Sequence, residues 1–218
     1  MSAPRISIII PTLNEAGTLR RAIASARAEE ADEVIVADGG STDATRRVAT
    51  AAGARVIAVS PPQRARQMNA GAAAATGDLL VFLHADTILL PGSLEALRAT
   101  ARNSEIVGGG FWRRYRSGSV LLAVSSLLGN ERARRLGWCF GDQAIWARRA
   151  VFLRLGGYPE KPLFEDLDFT RKLRRVGRIH LIVPGVETSA RRFRDGTVSR
   201  LLGDILLTVH HVCRTAAR

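Results

Sequence analysis

Lysine is nearly absent from this chain. Lys161 and Lys172 are the only two among 218 residues, so its formal charge of +12 is carried almost wholly by arginine. Cysteine is as scarce. Cys139 and Cys213 are too few and too far apart for a zinc cluster or a disulfide framework, which leads us to expect reduced, structural thiols in a cytoplasmic protein. Aromatic residues make up only 6%, and only FWRRYR (111–116) interleaves them with basic groups, so no nucleic-acid partner is expected. Long apolar runs are missing too. No window reaches the roughly 18 residues a spanning helix needs. SVLLAVSSLLG (119–129) reads as a short buried or interfacial helix. MSAPR leads straight into ISIII, too short for the apolar region of a signal peptide. The expectation is a soluble or peripheral protein, at most attached to the inner face of the cytoplasmic membrane. Neither an internal repeat nor a low-complexity linker breaks the chain, so residues 1–218 read as one domain.

What is present is an ordinary globular balance, 46% hydrophobic and 24% charged. An arginine excess fits an anionic partner such as a nucleotide or acidic lipid, because guanidinium grips phosphate in a bidentate, planar fashion. A GC-rich genome would produce the same bias. Short β-branched runs at 6–10, 33–38, 55–60 and 79–84 alternate with Ala/Arg/Glu-rich stretches at about 17–30, 43–52 and 65–76. Strands lacking polar alternation, separated by helical segments, predict an α/β fold with a mainly parallel sheet sandwiched by helices. Ligands of such sheets bind beyond the carboxyl ends of the strands. Those ends carry PTLNE, DGGSTD, SPPQRARQMNAG and HADT, all polar or glycine-rich. Farther on, 108–118 reads as a loop or edge strand and 141–157 as a strand leading into a helix. Residues 164–177 read as a helix with an acidic start and a basic end, matched to the helix dipole. RIHLIVPG is a further strand.

Each polar motif has a plain structural reading beside a chemical one. Thr12 and Glu15 have the spacing of a capping box. Asp38, Gly39 and Gly40 suit a tight turn, yet an acidic residue ending a second strand also suits ribose binding. His84 and Asp86, placed at i and i+2 of a strand, would share a face and could hold a cation or phosphate. Glu165, Asp166 and Asp168 are either a helix-start charge cluster or a source of general-base chemistry. Arg191 and Arg192 are either a solvated loop or an anion clamp.

Taken in order, PTLNE, VADGGSTD, LHADT, GDQ and FEDLDF resemble the family 2 glycosyltransferases of GT-A fold. With QRARQMNAG and TSARRF, the chain looks closer still to a bacterial subgroup of small family 2 transferases. The resemblance implies an inverting transferase moving a hexosyl group from a nucleotide-sugar, a UDP- or GDP-sugar, to an unknown acceptor hydroxyl, lipid-linked in one version. It implies a nucleotide-sugar half at 1–104, an acceptor half at 105–198 and an amphipathic helix at 199–218. It further implies that Pro11, Thr12, Asn14 and Glu15 line the nucleotide pocket, that Asp38 contacts the base or ribose, and that Arg64, Gln67 and Asn69 join the substrate site. Gly141, Asp142 and Gln143 would line the acceptor side, and Asp166, paired with Glu165, would be the catalytic base. Arg191 and Arg192 would meet the diphosphate. Asp86, with His84 where the family motif has its first aspartate, would hold Mg²⁺ or Mn²⁺. Two other classes fit parts of the pattern. A sugar-1-phosphate nucleotidyltransferase would open on a glycine-rich, arginine-containing loop, which PTLNEAGTLRR is not. A non-catalytic module for an anionic membrane or nucleic acid is suggested by charge alone. Finally, Val198, Leu201, Leu202, Ile205, Leu206, Val209 and Val212 recur at helical spacing. That stripe either packs on the domain or joins Arg113, Arg114 and Arg116 at a lipid surface.

Overall fold

The structure, a computed structural model, describes residues 3–193 and 196–216. Its centre is an eight-stranded sheet in the order β3-β2-β1-β4-β7-β6-β8-β5. The first strands, β1 (Ile6–Thr12), β2 (Glu33–Asp38), β3 (Arg55–Ala58) and β4 (Leu79–Phe82), pair in parallel. The crossovers between them are α1 (Ala16–Ala28), α2 (Thr45–Ala51) and α3 (Arg64–Ala74). The next strand and helix, β5 (Thr87–Leu89) and α4 (Ser93–Thr100), have no counterpart in the sequence reading, β5 being too short to announce itself. The later half adds β6 (Ile106–Arg116), α5 (Val120–Leu136), β7 (Ile145–Arg148), α6 (Arg149–Arg154), α7 (Glu165–Val176), β8 (Arg178–Ser189) and α8 (Thr197–Ala216). Antiparallel pairing of β7 with both β4 and β6, and of β5 with β8, makes the sheet mixed beyond its parallel first part.

The connection from β4 to β5 forces the sheet to curl. Only residues 83–86 separate these strands, yet they lie four places apart in the sheet. A flat sheet would put them about 19 Å apart at ~4.8 Å per strand. Five extended chain steps reach at most ~18 Å. Curling brings the ends of β1, β4, β6 and β8 around one mouth. Segment 108–118 lies in β6, an interior strand between β7 and β8, so it is neither a loop nor an edge. Its glycines explain the misreading, because a Cβ on Gly109 would sit 2.0 Å from the His180 carbonyl.

Alternation along the strands fills a core on each face. Ile6, Ile8 and Ile10 pack with Leu19 and Ile23 of α1 and Leu94 and Leu97 of α4. Ile9, Leu80 and Phe82 pack with α3, α6 and α7. Beneath the mouth, Phe82, Phe152, Tyr158 and Phe169 form an aromatic cluster of tilted and edge-to-face rings. It gives the site a rigid, apolar floor.

Candidate active site

Asn14 adopts a left-handed backbone (φ 57°) at the end of β1. Its side-chain oxygen accepts the Thr42 N–H at 2.9 Å, and its own N–H donates to the Ser41 hydroxyl at 2.9 Å. The loops after β1 and β2 are thereby locked together. The capping box does not form, because Thr12 is inside the strand, donating to Asp38 at 3.3 Å. Glu15 takes the Thr18 hydroxyl and a guanidinium instead. Several residues expected on substrate are engaged by the protein. Asp38 is buried and accepts from Ser41, Gly40 and Arg46, so it shapes its loop. Gln67 donates to the Thr12 and Ala37 carbonyls at 2.7 and 2.8 Å, tying β1 to β2. Asn69 pairs with both backbone groups of Tyr158. Gln143 is buried between Arg132 and Asn130. These four hold the walls. Pro11, at the end of β1, is half-buried beside them.

His84 and Asp86 do not share a strand face. β4 stops at Phe82, so alternation no longer governs them. His84 turns into a small cavity with Arg64, Gly141, Glu165 and Asp166. Burial, then the Arg64 charge, pushes its imidazole down to about 4, so it is neutral at physiological pH. Asp86 opens instead into a cavity of about 520 Å³ with Arg116, Ser189 and Arg191. There Arg191 lies 3.0 Å from the Asp86 carboxylate and grips Glu15 at 2.8 and 2.6 Å. Arg192 turns away to Asp204.

On the other side of the mouth, Asp166 begins α7. Its carboxylate accepts the N–H of Gly141 and that of Leu167, each at 2.7 Å. Burial and the neighbouring Glu165 raise its pKa to about 6 against those hydrogen bonds. Gly141 has no room for a side chain, since a Cβ would lie 2.5 Å from His84 Nε2. Arg64 approaches Glu165 at 3.7 Å. Asp142 is gripped by Arg113 and receives the Tyr115 hydroxyl at 3.2 Å. Burial alone would raise its pKa, but Arg113 and Arg132 outweigh it and hold the carboxyl below its ordinary value. Its Oδ1 is buried with no partner. Arg113 and Tyr115, both in FWRRYR, support Asp142, a role that no local pattern in the sequence announces. Left-handed backbone at Ala144 and Phe164 (φ 45° and 62°) adjoins GDQ and the Glu-Asp pair, placing local strain where chemistry is expected.

Among the described residues no group of three His, Cys, Asp or Glu side chains could hold a metal ion alone. The Asp86 carboxylate, already facing the cationic Arg191, does fit a hard divalent cation whose other ligands are substrate phosphates.

The curled α/β sheet with a polar mouth at its carboxyl edge is the GT-A fold. The family profile of glycosyl transferase family 2 matches residues 7–152, and the chain belongs to that family. A glycosyltransferase of Nostoc sp. is 37% identical over 112 residues, 48% of this chain and 35% of its own length. The glucosyl-3-phosphoglycerate synthase of Mycolicibacterium smegmatis is 35% identical over 94 residues, 38% of this chain and 31% of its own. These matches thus span about a third of the relatives' length. In structure, the Mycobacterium tuberculosis glucosyl-3-phosphoglycerate synthase complex with Mn²⁺ and UDP-glucose covers 85% of this chain and 70% of its own (TM-score 0.61, 26% identity). The Pyrobaculum calidifontis mannosyltransferase with GDP-Man and Mn²⁺ covers 90% and 59% (TM-score 0.68), and at 23% identity it supports the fold alone.

Proposed function

We propose that this protein is an inverting glycosyltransferase that moves a hexosyl group from a UDP- or GDP-sugar to an acceptor hydroxyl. The observation that carries this reading is the division of the mouth. Asp86, Glu15 and Arg191 gather at one side, and Asp166, fixed by the Gly141 N–H, stands at the other. Residues 1–104 supply the nucleotide side, with Pro11, Thr12, Asn14 and Glu15 at the pocket and Asp38, Gln67 and Asn69 shaping it. Residues 105–198 supply the acceptor side.

Asp166 takes the proton of the acceptor hydroxyl as it attacks the anomeric carbon. A carboxyl near pH 6 is largely ionised at neutral pH yet basic enough to accept a proton. The unpartnered Asp142 oxygen suits recognition of an acceptor hydroxyl. Arg191 and Arg64 counter negative charge on the leaving group and around the sugar, and Arg191 does so bidentately. A divalent cation on Asp86, Mn²⁺ or Mg²⁺, would supply further charge neutralisation to the departing diphosphate. Neutral His84 packs against Gly141 on the base side and is better suited to positioning than to Mg²⁺ ligation.

For the acceptor, a second observation favours a lipid-linked molecule at an anionic membrane surface. Part of the apolar stripe of α8 faces outward, with Val198, Leu202, Leu206 and Val209 each more than half exposed, while Leu201 and Val212 are half-buried. The side chain of Ile205 lies outside the described residues. Val120, Leu127 and Leu128 of α5 are exposed as well. The starts of both helices, at Ser119 and Thr197, border the cavity that holds Asp86. No described helix is long and apolar enough to cross a membrane. Of the arginines first joined to this surface, Arg113 is buried, while Arg114 and Arg116 pair with Glu187. Exposed Arg200 and Arg214 on α8 are the better candidates.

A thermal-shift screen of nucleotide-sugars with and without Mn²⁺ tests the donor reading. A ligand at 100 times its Kd stabilises by about 2.7 kcal/mol, so one UDP- or GDP-sugar should raise Tm by several degrees with Mn²⁺. Failure of all of them contradicts the reading.

A further inference from the structure

We propose that Arg191 is an internal counter-ion standing where the divalent cation would stand, so that the cation enters only together with a nucleoside diphosphate. This inference rests on the donor-site reading above. Three contacts carry it. The Arg191 guanidinium reaches Glu15 Oε2 at 2.8 Å and Oε1 at 2.6 Å, and its Nε lies 3.0 Å from Asp86 Oδ2. One side chain thereby joins the carboxyl ends of β1 and β4 to the end of β8, and it faces the Asp86 carboxylate that would hold the metal.

A cation arriving alone meets two obstacles. It must approach a fixed guanidinium charge at contact distance, and it must share Asp86 with that charge. No described cluster of three ligating side chains compensates it. Arrival with a diphosphate removes both obstacles. The phosphate oxygens accept the Arg191 fork bidentately as it leaves the carboxylates. The doubly positive cation then enters with a diphosphate whose negative charge offsets its own, so the mouth gains no net positive charge. Room for the movement exists, because Arg191 lines the 520 Å³ cavity and is 44% exposed. Arg116, in the same cavity with Nη2 3.4 Å from the Asp86 carbonyl, is placed to receive the second phosphate. Binding is then ordered by electrostatics, with the arginine handed from carboxylate to phosphate.

The test is Mn²⁺ uptake by the full chain, followed through the electron paramagnetic resonance signal of free Mn²⁺, with Mn²⁺ alone and with UDP or GDP added, each signal taken relative to the same mixture without protein. Wild type should leave Mn²⁺ free until the nucleotide is present. Arg191→Ala should take up Mn²⁺ alone roughly tenfold more tightly than wild type, as loss of a charge at contact distance predicts, and should bind the nucleotide more weakly. Arg191→Gln, which keeps the side-chain volume, should behave alike and covers a folding defect in the alanine variant. Equal Mn²⁺ affinity of wild type and both variants without nucleotide overturns the inference while leaving the donor-site reading intact. Absence of Mn²⁺ uptake even with both nucleotides overturns that reading, and the inference with it.

Discussion

At the scale of the residue, the account turns on two carboxylates placed in opposite circumstances. Asp86 faces a guanidinium, whereas Asp166 is buried beside Glu165 and accepts from two N–H groups. If Asp166 removes the acceptor proton, Asp166→Asn should lower kcat by roughly 10²–10⁴-fold, the usual worth of a general base, with the affinity for nucleoside diphosphate unchanged. The wild-type rate should fall as pH drops through about 6, where Asp166 takes up its proton. The sign for stability is opposite to that of an ordinary ion-paired carboxylate. With the folded pKa raised, ionised Asp166 costs stability, a cost absent below the ordinary carboxylate pKa and complete above about 6. Asp166→Asn should therefore raise stability near pH 7.5, by on the order of 1–2 kcal/mol, and do little at pH 4. Steady-state kinetics and melting curves at both pH values check this. Parallel loss of nucleotide affinity and rate would remove Asp166 from the base's role.

Single residues were legible in the sequence to different degrees. Asp86, Asp166 and Arg191 stand at the ends of elements, where local pattern predicts exposure to the mouth, and the structure brings them there. Asp38, Gln67, Asn69 and Gln143 carry the same polar chemistry but are consumed by backbone and side-chain partners within the protein, as far as 89 residues away. Nothing local distinguishes a polar residue awaiting substrate from one satisfied by a distant carbonyl. Arg113 was equally hidden, since an arginine in a strand reads as surface until a buried aspartate is found opposite it.

At the scale of the element, strands β1, β2 and β4 and helices α1–α3 and α7 follow from hydrophobic period and punctuation. Misreadings occur where tertiary contact overrides that pattern. β6 reads as a loop or edge strand because close approach of β8 demands glycine, and β5, three residues long, is set by pairing with β8 and by contact with α1. α8 departs in the other direction. Its inward side carries Asp204, Thr208 and His211, and His211 stacks on Phe164 while its Nε2 lies 2.9 Å from Asp168. Leu202, Leu206 and Leu207 point outward. If that face meets anionic lipid, vesicles rich in anionic phospholipid should carry the protein upward in flotation at low salt and release it at high salt. Each basic group near the surface contributes about 1 kcal/mol. Paired Leu202→Asp and Leu206→Asp substitutions should abolish flotation without lowering Tm, because both side chains are exposed. A protein that ignores such vesicles, or a double variant that floats like wild type, contradicts the lipid-facing role of α8.

At the scale of the whole molecule, fold and site are one consequence of a curled sheet. A four-residue link between β4 and β5 closes the curl, sets Asp86 at its rim, and brings the ends of β1 and β8 to the same carboxylate through Glu15 and Arg191. The central claim is that this rim holds the diphosphate of a nucleotide-sugar with a divalent cation on Asp86. Its most direct test is calorimetric titration of wild type and Asp86→Ala with UDP and GDP, with and without Mn²⁺. The account predicts that wild type binds one of them, that Mn²⁺ tightens the binding, and that Asp86→Ala loses the Mn²⁺-dependent gain. Binding of neither nucleotide by wild type, or an Asp86→Ala protein with wild-type affinity and the same Mn²⁺ dependence, would contradict it.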